Sequence, residues 1–406
     1  MAGEQSKQLV ELYAALQPNA SLVTPFEINV PQSALDDLKR RLEMTRWPNR
    51  ETVSDWSQGV PLTRILPLVD YWRTEYDWRR CQTMLNGLGQ YRTEIDGLGI
   101  HFLHVRSRHQ NALPILLSHG WPGSVLEFVK VIGPPTEPTG HGGNAEDAFH
   151  VVIPSLPGFG FSDQPASTGW DMERTAHAWV ELMRRLGYTH YAAQGGDWGA
   201  GITTRMAQIA PEGLAGIHLN WPFVIPAHIP TEGLSADEQA AVASANKFLG
   251  EGSGYFRQQA TRPQTIGYGL ADSAVGQLAW VYEKFRDWTD SHGDPENVLT
   301  KDEILDDVML YWLPDAAASS ARFYWENRSD VTLNLGPVEK VPVACSIFPR
   351  EIYRAPRRWA EQTYKRLIYW SELERGGHFA ALEQPEIFVN ELRAAFDNPL
   401  FRQRLA

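Results

Sequence analysis

Three observations predict an α/β fold with a mostly parallel sheet and helices on both faces. Short aliphatic runs alternate with amphipathic helical stretches from Tyr91 to Trp221. The alternation resumes at "VPVACSIFPRE", from Val341, after a long break. Several of the aliphatic runs end in Gly/Pro loops, where an open parallel sheet keeps its ligand site.

Residues 1–91 read as a helical and irregular arm. "PQSALDDLKRRLEMTRWP" puts Leu35, Leu38 and Leu42 on one helical face, with Ser33 as a plausible N-cap and a stop before Pro48. "LTRILPLVDYWRTEYDW" repeats the helical period through Ile65, Val69, Trp72 and Tyr76. The first part of the sheet spans 92–221. "YRTEIDGLGIHFLHVRS" predicts two strands around the turn Asp96-Gly97. "LPILLSHGWPGS" and "FHVVIPSLPGFGFSD" are buried strands running into loops, and "RTAHAWVELMRRLGY" is an amphipathic helix. "AAQGGDWGAG" is a strand and turn, followed by a helix at roughly 200–210 and the strand "AGIHLNWP". Residues 222–336 read as an inserted helical cap, rich in aromatics and punctuated by Pro263, Pro295 and Pro314. The sheet is completed over 337–406, closing with a helix after Pro385.

The chain's 406 residues allow one large domain with insertions, or two to three smaller ones. A net charge of −12 without a basic tract argues against nucleic acid and anionic membranes as partners. Fifteen Trp leave room for an aromatic-lined pocket, although aromatics also serve as core filler. Cys81 and Cys345 lie far apart, without metal-ligand spacing, and read as two buried reduced thiols. The start, "MAGEQSKQLVELYAALQPNA", lacks the pattern of a signal peptide, and no stretch is apolar for long enough to span a membrane, so a cytoplasmic protein is expected. No nucleotide fingerprint and no metal site are read, and no cofactor is expected.

Five features could carry chemistry. The spacing Gly195-Gly196-Asp197-Trp198-Gly199 is that of a strand-to-helix elbow, whose centre in the best-known version is Ser. A carboxylate there faces a helix N-terminus, which keeps it ionised, and it can attack carbon without a base. The plain structural alternative is that Asp197 caps the helix, a role that does not need the flanking glycines. "HGWPGS" (119–124) exposes backbone N–H groups, and those of Trp121 and Trp198 could hold an oxyanion. His378, in "GGHFAALEQP", sits where such folds keep their base. Glu351, 27 residues earlier at a strand end, is the best acid on offer to orient it, better than Asn220 on the neighbouring strand. Tyrosines of the cap could protonate a leaving oxygen, but the residues alone do not single out Tyr255 and Tyr324 from Tyr268, Tyr282 or Tyr311.

Together these residues resemble an α/β-hydrolase-fold epoxide hydrolase of the microsomal type, over nearly the whole chain. "FEINVPQSALDDLKRRLEMTRWP", "HGWPGS", "PSLPGFGFS", "GGDWG", "ATRPQTIGYGLADS", "AWVYEKFRDWTD", "YWLPD" and "GGHFAALEQP" are similar to the family's motifs, in its order. The resemblance implies Asp197 as nucleophile, His378 as base and Glu351 as its acid. It implies Tyr255 and Tyr324 as the ring-opening pair, and Trp121 and Trp198 as oxyanion donors. The membrane-bound members carry an N-terminal anchor that is not seen here, so the chain looks like the soluble microbial members. The expected reaction turns an apolar, bulky or aryl epoxide into a vicinal diol, with water as co-substrate and a homodimer as a guess. A haloalkane or haloacid dehalogenase with the same Asp nucleophile is the nearest rival; a non-catalytic binding protein of this fold is a second. Asp197 itself disfavours a serine esterase.

Overall fold

The computed structural model describes residues 23–402 apart from 223, 227, 230, 231 and 331–334. The stretch 1–20, from which the lack of a leader was read, lies outside the described residues. Nine strands form one sheet: β1 (Val23–Pro25), β2 (Gln90–Ile95), β3 (Leu98–Val105), β4 (Leu113–Ser118), β5 (Phe149–Pro154), β6 (Tyr191–Gly195), β7 (Leu214–Leu219), β8 (Val343–Ile347) and β9 (Leu367–Glu372). Their spatial order is β1-β2-β3-β5-β4-β6-β7-β8-β9. The six strands from β5 to β9 in that order run parallel, and β1, β2 and β3 add antiparallel at one edge. Strands β5, β7 and β8 are buried along their whole length, as a parallel sheet covered on both faces requires.

Thirteen α-helices of seven residues or more are found among the described residues. The arm holds α1 (Gln32–Glu43), α2 (Leu62–Thr74) and α3 (Trp78–Asn86). The sheet is flanked by α4 (Met172–Arg185), α5 (Trp198–Ile209), α12 (Arg357–Thr363) and α13 (Pro385–Phe396). Between β7 and β8 come α6 (Ala236–Lys247), α7 (Gly254–Thr261), α8 (Pro263–Asp272), α9 (Ala274–Trp288), α10 (Lys301–Trp312) and α11 (Ala317–Glu326). None of the described helices is long and apolar enough to cross a membrane.

The arm is tied to the inserted helices by polar contacts as well as by its apolar faces. Leu38 and Leu42 of α1 and Ile65, Val69 and Trp72 of α2 are buried. Arg80 reaches Asp306 of α10 at 2.7 Å, and the Tyr76 hydroxyl donates to the same carboxylate at 2.7 Å. The Asp306 side chain is only 5% exposed, so removing Arg80 alone would cost more than removing one partner of the exposed Arg41–Asp272 bridge. Cys81 and Cys345 are both buried and unbridged.

Three details depart from the sequence reading. The arm is not only helical: β1 pairs with β2 and extends the sheet. Ser33 is not the N-cap of α1, because Pro31 (φ −64°) takes that position and Ser33 falls inside the first turn. The helix expected at about 200–210 begins at Trp198, immediately after Asp197.

Candidate active site

Asp197 lies at the end of β6, in the turn into α5. Its backbone has φ +50° and ψ −131°, a conformation costly for a residue with a Cβ. The turn is tight enough to need its glycines: a Cβ on Gly199 would stand 2.0 Å from the Ser118 carbonyl oxygen, and one on Gly120 would stand 2.3 Å from the Asp197 carboxylate. Although Asp197 occupies the N-cap position, its side chain makes no capping bond. Instead Oδ1 accepts the Trp121 N–H at 2.9 Å. The capping alternative is thereby removed. As the first residue of α5, Trp198 has an N–H without a partner inside the helix.

His378 follows β9, in the loop before the short helix Ala380–Glu383. Its Nε2 lies 3.3 Å from Asp197 Oδ2, and its Nδ1 lies 2.6 Å from Glu351 Oε1. Glu351 Oε1 also accepts the Ile352 N–H at 2.8 Å, which fixes the carboxylate. Burial opposes charge on the imidazole, but the two carboxylates outweigh it and hold His378 well above its ordinary pKa. The two carboxylates thus favour a protonated ring, with Nδ1 hydrogen-bonded to Glu351 and Nε2 facing Asp197. Asn220 accepts from Gln194 Nε2 at 2.7 Å and takes no part in this pairing.

The inserted helices close the site with aromatic rings. Tyr255 of α7 stacks on Trp121 with centroids 5.0 Å apart and planes at 10°. Tyr324 of α11 meets Trp198 edge to face at 4.8 Å and Tyr255 at 5.9 Å. Burial, then the charge of Asp197, raises the Tyr255 phenol well above its ordinary pKa; burial, Tyr255 and Asp197 do the same to Tyr324. Both are therefore neutral O–H donors. The other three tyrosines are placed elsewhere or spent. Tyr268 is 72% exposed, Tyr282 packs on Trp56 of the arm, and the Tyr311 hydroxyl donates to the Gly123 carbonyl at 2.6 Å.

Asp197, Trp198, Tyr255 and Tyr324 line a cavity of about 760 Å³, completed by Met172, Trp221, Ile225, Phe248, Leu249 and Phe256. Its wall is mainly apolar, as small-molecule sites usually are. Among the described residues, no group of three or more His, Cys, Asp or Glu side chains is placed to hold a metal ion. His101, His104 and His119 are buried, and burial pulls each below its ordinary pKa, to about 3, 3 and 4.

Some supporting residues had no signal of their own in the sequence. The Trp288 carbonyl, at the end of α9, accepts the His378 N–H at 2.8 Å, and its ring packs on that imidazole at 5.2 Å. Glu383 accepts the N–H groups of Phe379 and Asp290, joining the His378 loop to the end of α9. Trp288 lies inside "AWVYEKFRDWTD", a motif that carried resemblance but no assigned role.

The sheet order and the acidic elbow are those of the α/β-hydrolase fold, and the sequence profile described as "alpha/beta hydrolase fold" matches residues 114–269. A second profile, "Epoxide hydrolase N terminus", matches residues 23–128, across the arm and the first strands. The chain is 65% identical to a Stigmatella aurantiaca (strain DW4/3-1) protein named "Putative epoxide hydrolase", over 92% of this chain and 84% of that protein. It is 35% identical to epoxide hydrolase 1 of Sus scrofa, over 91% of this chain and 88% of the relative. The crystal structure of juvenile hormone epoxide hydrolase from the silkworm Bombyx mori superposes with a TM-score of 0.85 at 32% identity, covering 95% of this chain and 96% of that one. With these matches the chain belongs to the epoxide hydrolase family.

Proposed function

We propose that the protein hydrolyses an apolar, bulky or aryl epoxide to a vicinal diol through a covalent ester on Asp197. The observation that carries this is the placement of the Asp197 carboxylate, held by Trp121 N–H and His378, in a cavity with two neutral phenols. An epoxide carbon offers no carbonyl for a first tetrahedral intermediate, so a free carboxylate suits it better than an alcohol would. The paired phenols favour this reading over halide displacement, which needs no proton for its leaving group.

Oδ1 stays on the Trp121 N–H while Oδ2 attacks a ring carbon from the side opposite its C–O bond. That bond breaks, its electron pair goes to the ring oxygen, and a phenol proton from Tyr255 or Tyr324 follows. Esterification removes a negative charge 3.3 Å from His378 Nε2. The imidazolium then loses one of the two carboxylates that held its proton, releases it towards the phenolate, and becomes a base. Neutral His378, oriented by Glu351, takes a proton from water, and hydroxide adds to the ester carbonyl. The Trp121 and Trp198 N–H groups receive the oxyanion; one such donor is worth roughly 3–4 kcal/mol. The diol leaves with the proton from His378, the proton left on the Asp197 carboxyl returns to His378, and one Asp197 oxygen now comes from water.

The test is a single turnover with excess enzyme and styrene oxide in ¹⁸O-labelled water. The expected result is unlabelled diol, with the label in the peptide that contains Asp197. Labelled diol in the first turnover would mean direct attack by water and would overturn the ester route.

A further inference from the structure

Lys284, on α9, is a buried cation outside the residues used so far. It is 4% exposed, and its ammonium sits 4.7 Å from the centre of the Tyr255 ring and 5.9 Å from that of Trp288. Among the described residues its one hydrogen-bond acceptor is the carboxylate of its neighbour Glu283, whose side chain is 35% exposed. Beside that carboxylate, aromatic faces meet the ammonium, and a cation is attracted to them. One face of the Tyr255 ring is already covered by the stacked indole of Trp121. The Tyr255 ring thus carries both a stacked indole and a nearby cation.

That arrangement answers a difficulty in ring opening. Burial and the Asp197 carboxylate both oppose a phenolate at Tyr255, yet the opening step leaves one there when its proton goes to the alkoxide. Phenolate charge is delocalised into the ring beneath Lys284. A cation over the ring attracts the phenolate more strongly than the phenol, so its effect is larger in the transition state than in the ground state. We propose that Lys284 is a positioning residue for the ring-opening acid, holding Tyr255 against Trp121 and stabilising its phenolate while the epoxide C–O bond breaks. This rests on the proposed function and adds no reactant: the proton moves from Tyr255 to the ring oxygen, and the electron pair of the C–O bond goes with that oxygen.

The test separates the two half-reactions by rapid quench with styrene oxide. Lys284→Met keeps an unbranched chain one atom shorter and loses the charge. It should slow ester formation about ten-fold, less than loss of the acid itself, and leave ester hydrolysis within about two-fold. Lys284→Arg, which keeps the cation, should recover most of the rate. If Lys284→Met does not fold, Lys284→Gln takes its place in the same comparison. The same substitution in a Tyr255→Phe background should have no further effect on ester formation. Equal loss in the Met and Arg variants, loss confined to hydrolysis, or undiminished loss in the Tyr255→Phe background would each overturn the role of Lys284 while a slow Tyr255→Phe single variant leaves the ester route standing. A Tyr255→Phe enzyme that opens the ring at the wild-type rate would remove Tyr255 as the acid and overturn the role of Lys284, while the ester route, with Tyr324 as acid, would stand.

Discussion

The two halves of the site are held in place by different forces. On the sheet side, Asp197, Glu351, His378 and the loop 119–124 are set by backbone: a strained turn, strand ends, and close approaches that leave no room for a Cβ. On the cap side, Tyr255, Tyr324 and Trp288 are set by ring against ring, at centroid distances of 5.2–5.9 Å among themselves where they touch. Backbone contacts of this kind are all-or-none, because a 2.0 Å approach cannot be relaxed by a rotamer change. Ring packing is softer, and neighbouring apolar groups can share a lost contact. Disturbing the sheet side should therefore stop a step, and disturbing the cap side should slow one.

The sharpest break in that comparison comes from the nucleophile. Asp197→Ala should reduce diol formation by about 10⁴-fold or more, measured by steady-state assay, with no ester detected by intact mass. His378→Gln should still form the ester and then stall, giving one equivalent of consumed epoxide per enzyme and a persistent adduct. Turnover of that variant at the wild-type rate would refute the assignment of the base.

On the cap side, Tyr255→Phe and Tyr324→Phe should each slow ester formation about 10²-fold and leave the second step nearly unchanged, since one phenol remains to protonate the alkoxide. The double variant should lose considerably more than either. If one phenol carried the whole effect, the two rings would differ in role and the pairing would be wrong.

The smallest effect lies where the halves meet. Asp307 of α10 accepts the Ser124 hydroxyl at 2.7 Å, tying the cap to the loop that carries Trp121. Burial is the main cause of its rise from 3.8 to about 8, against the opposing bond from Ser124. A folded pKa above the unfolded one means the stability is fully present below about pH 4 and is lost as pH climbs towards 8. Asp307→Asn removes that titration. Its melting temperature should match the wild type near pH 4 and exceed it by a few degrees near pH 8, by calorimetry. His378 loses stability in the same direction as pH rises, because its folded pKa is also raised, but it is present in both proteins and cancels.

The apolar runs of β4 to β8 were legible because a strand buried on both faces must be apolar throughout. Asp197 was legible for a related reason: its glycines are required by distances of a few ångströms within one short segment. Glu351 and His378 could be placed by chain order alone. The strand β1 was missed, since three residues of a partly exposed edge carry no periodicity. Ser33 was misplaced because Pro31 opens the helix first.

By itself, the sequence determined the fold class, the elbow and the chain order of Asp197, Glu351 and His378, all of which depend on local backbone geometry or on position along the chain. Only the tertiary structure decided which of five cap tyrosines share a cavity with Asp197, that the Trp288 carbonyl accepts the His378 N–H, and that Lys284 lies over Tyr255. Those contacts join residues distant in the chain through side-chain packing, and side-chain packing leaves no pattern in a single sequence.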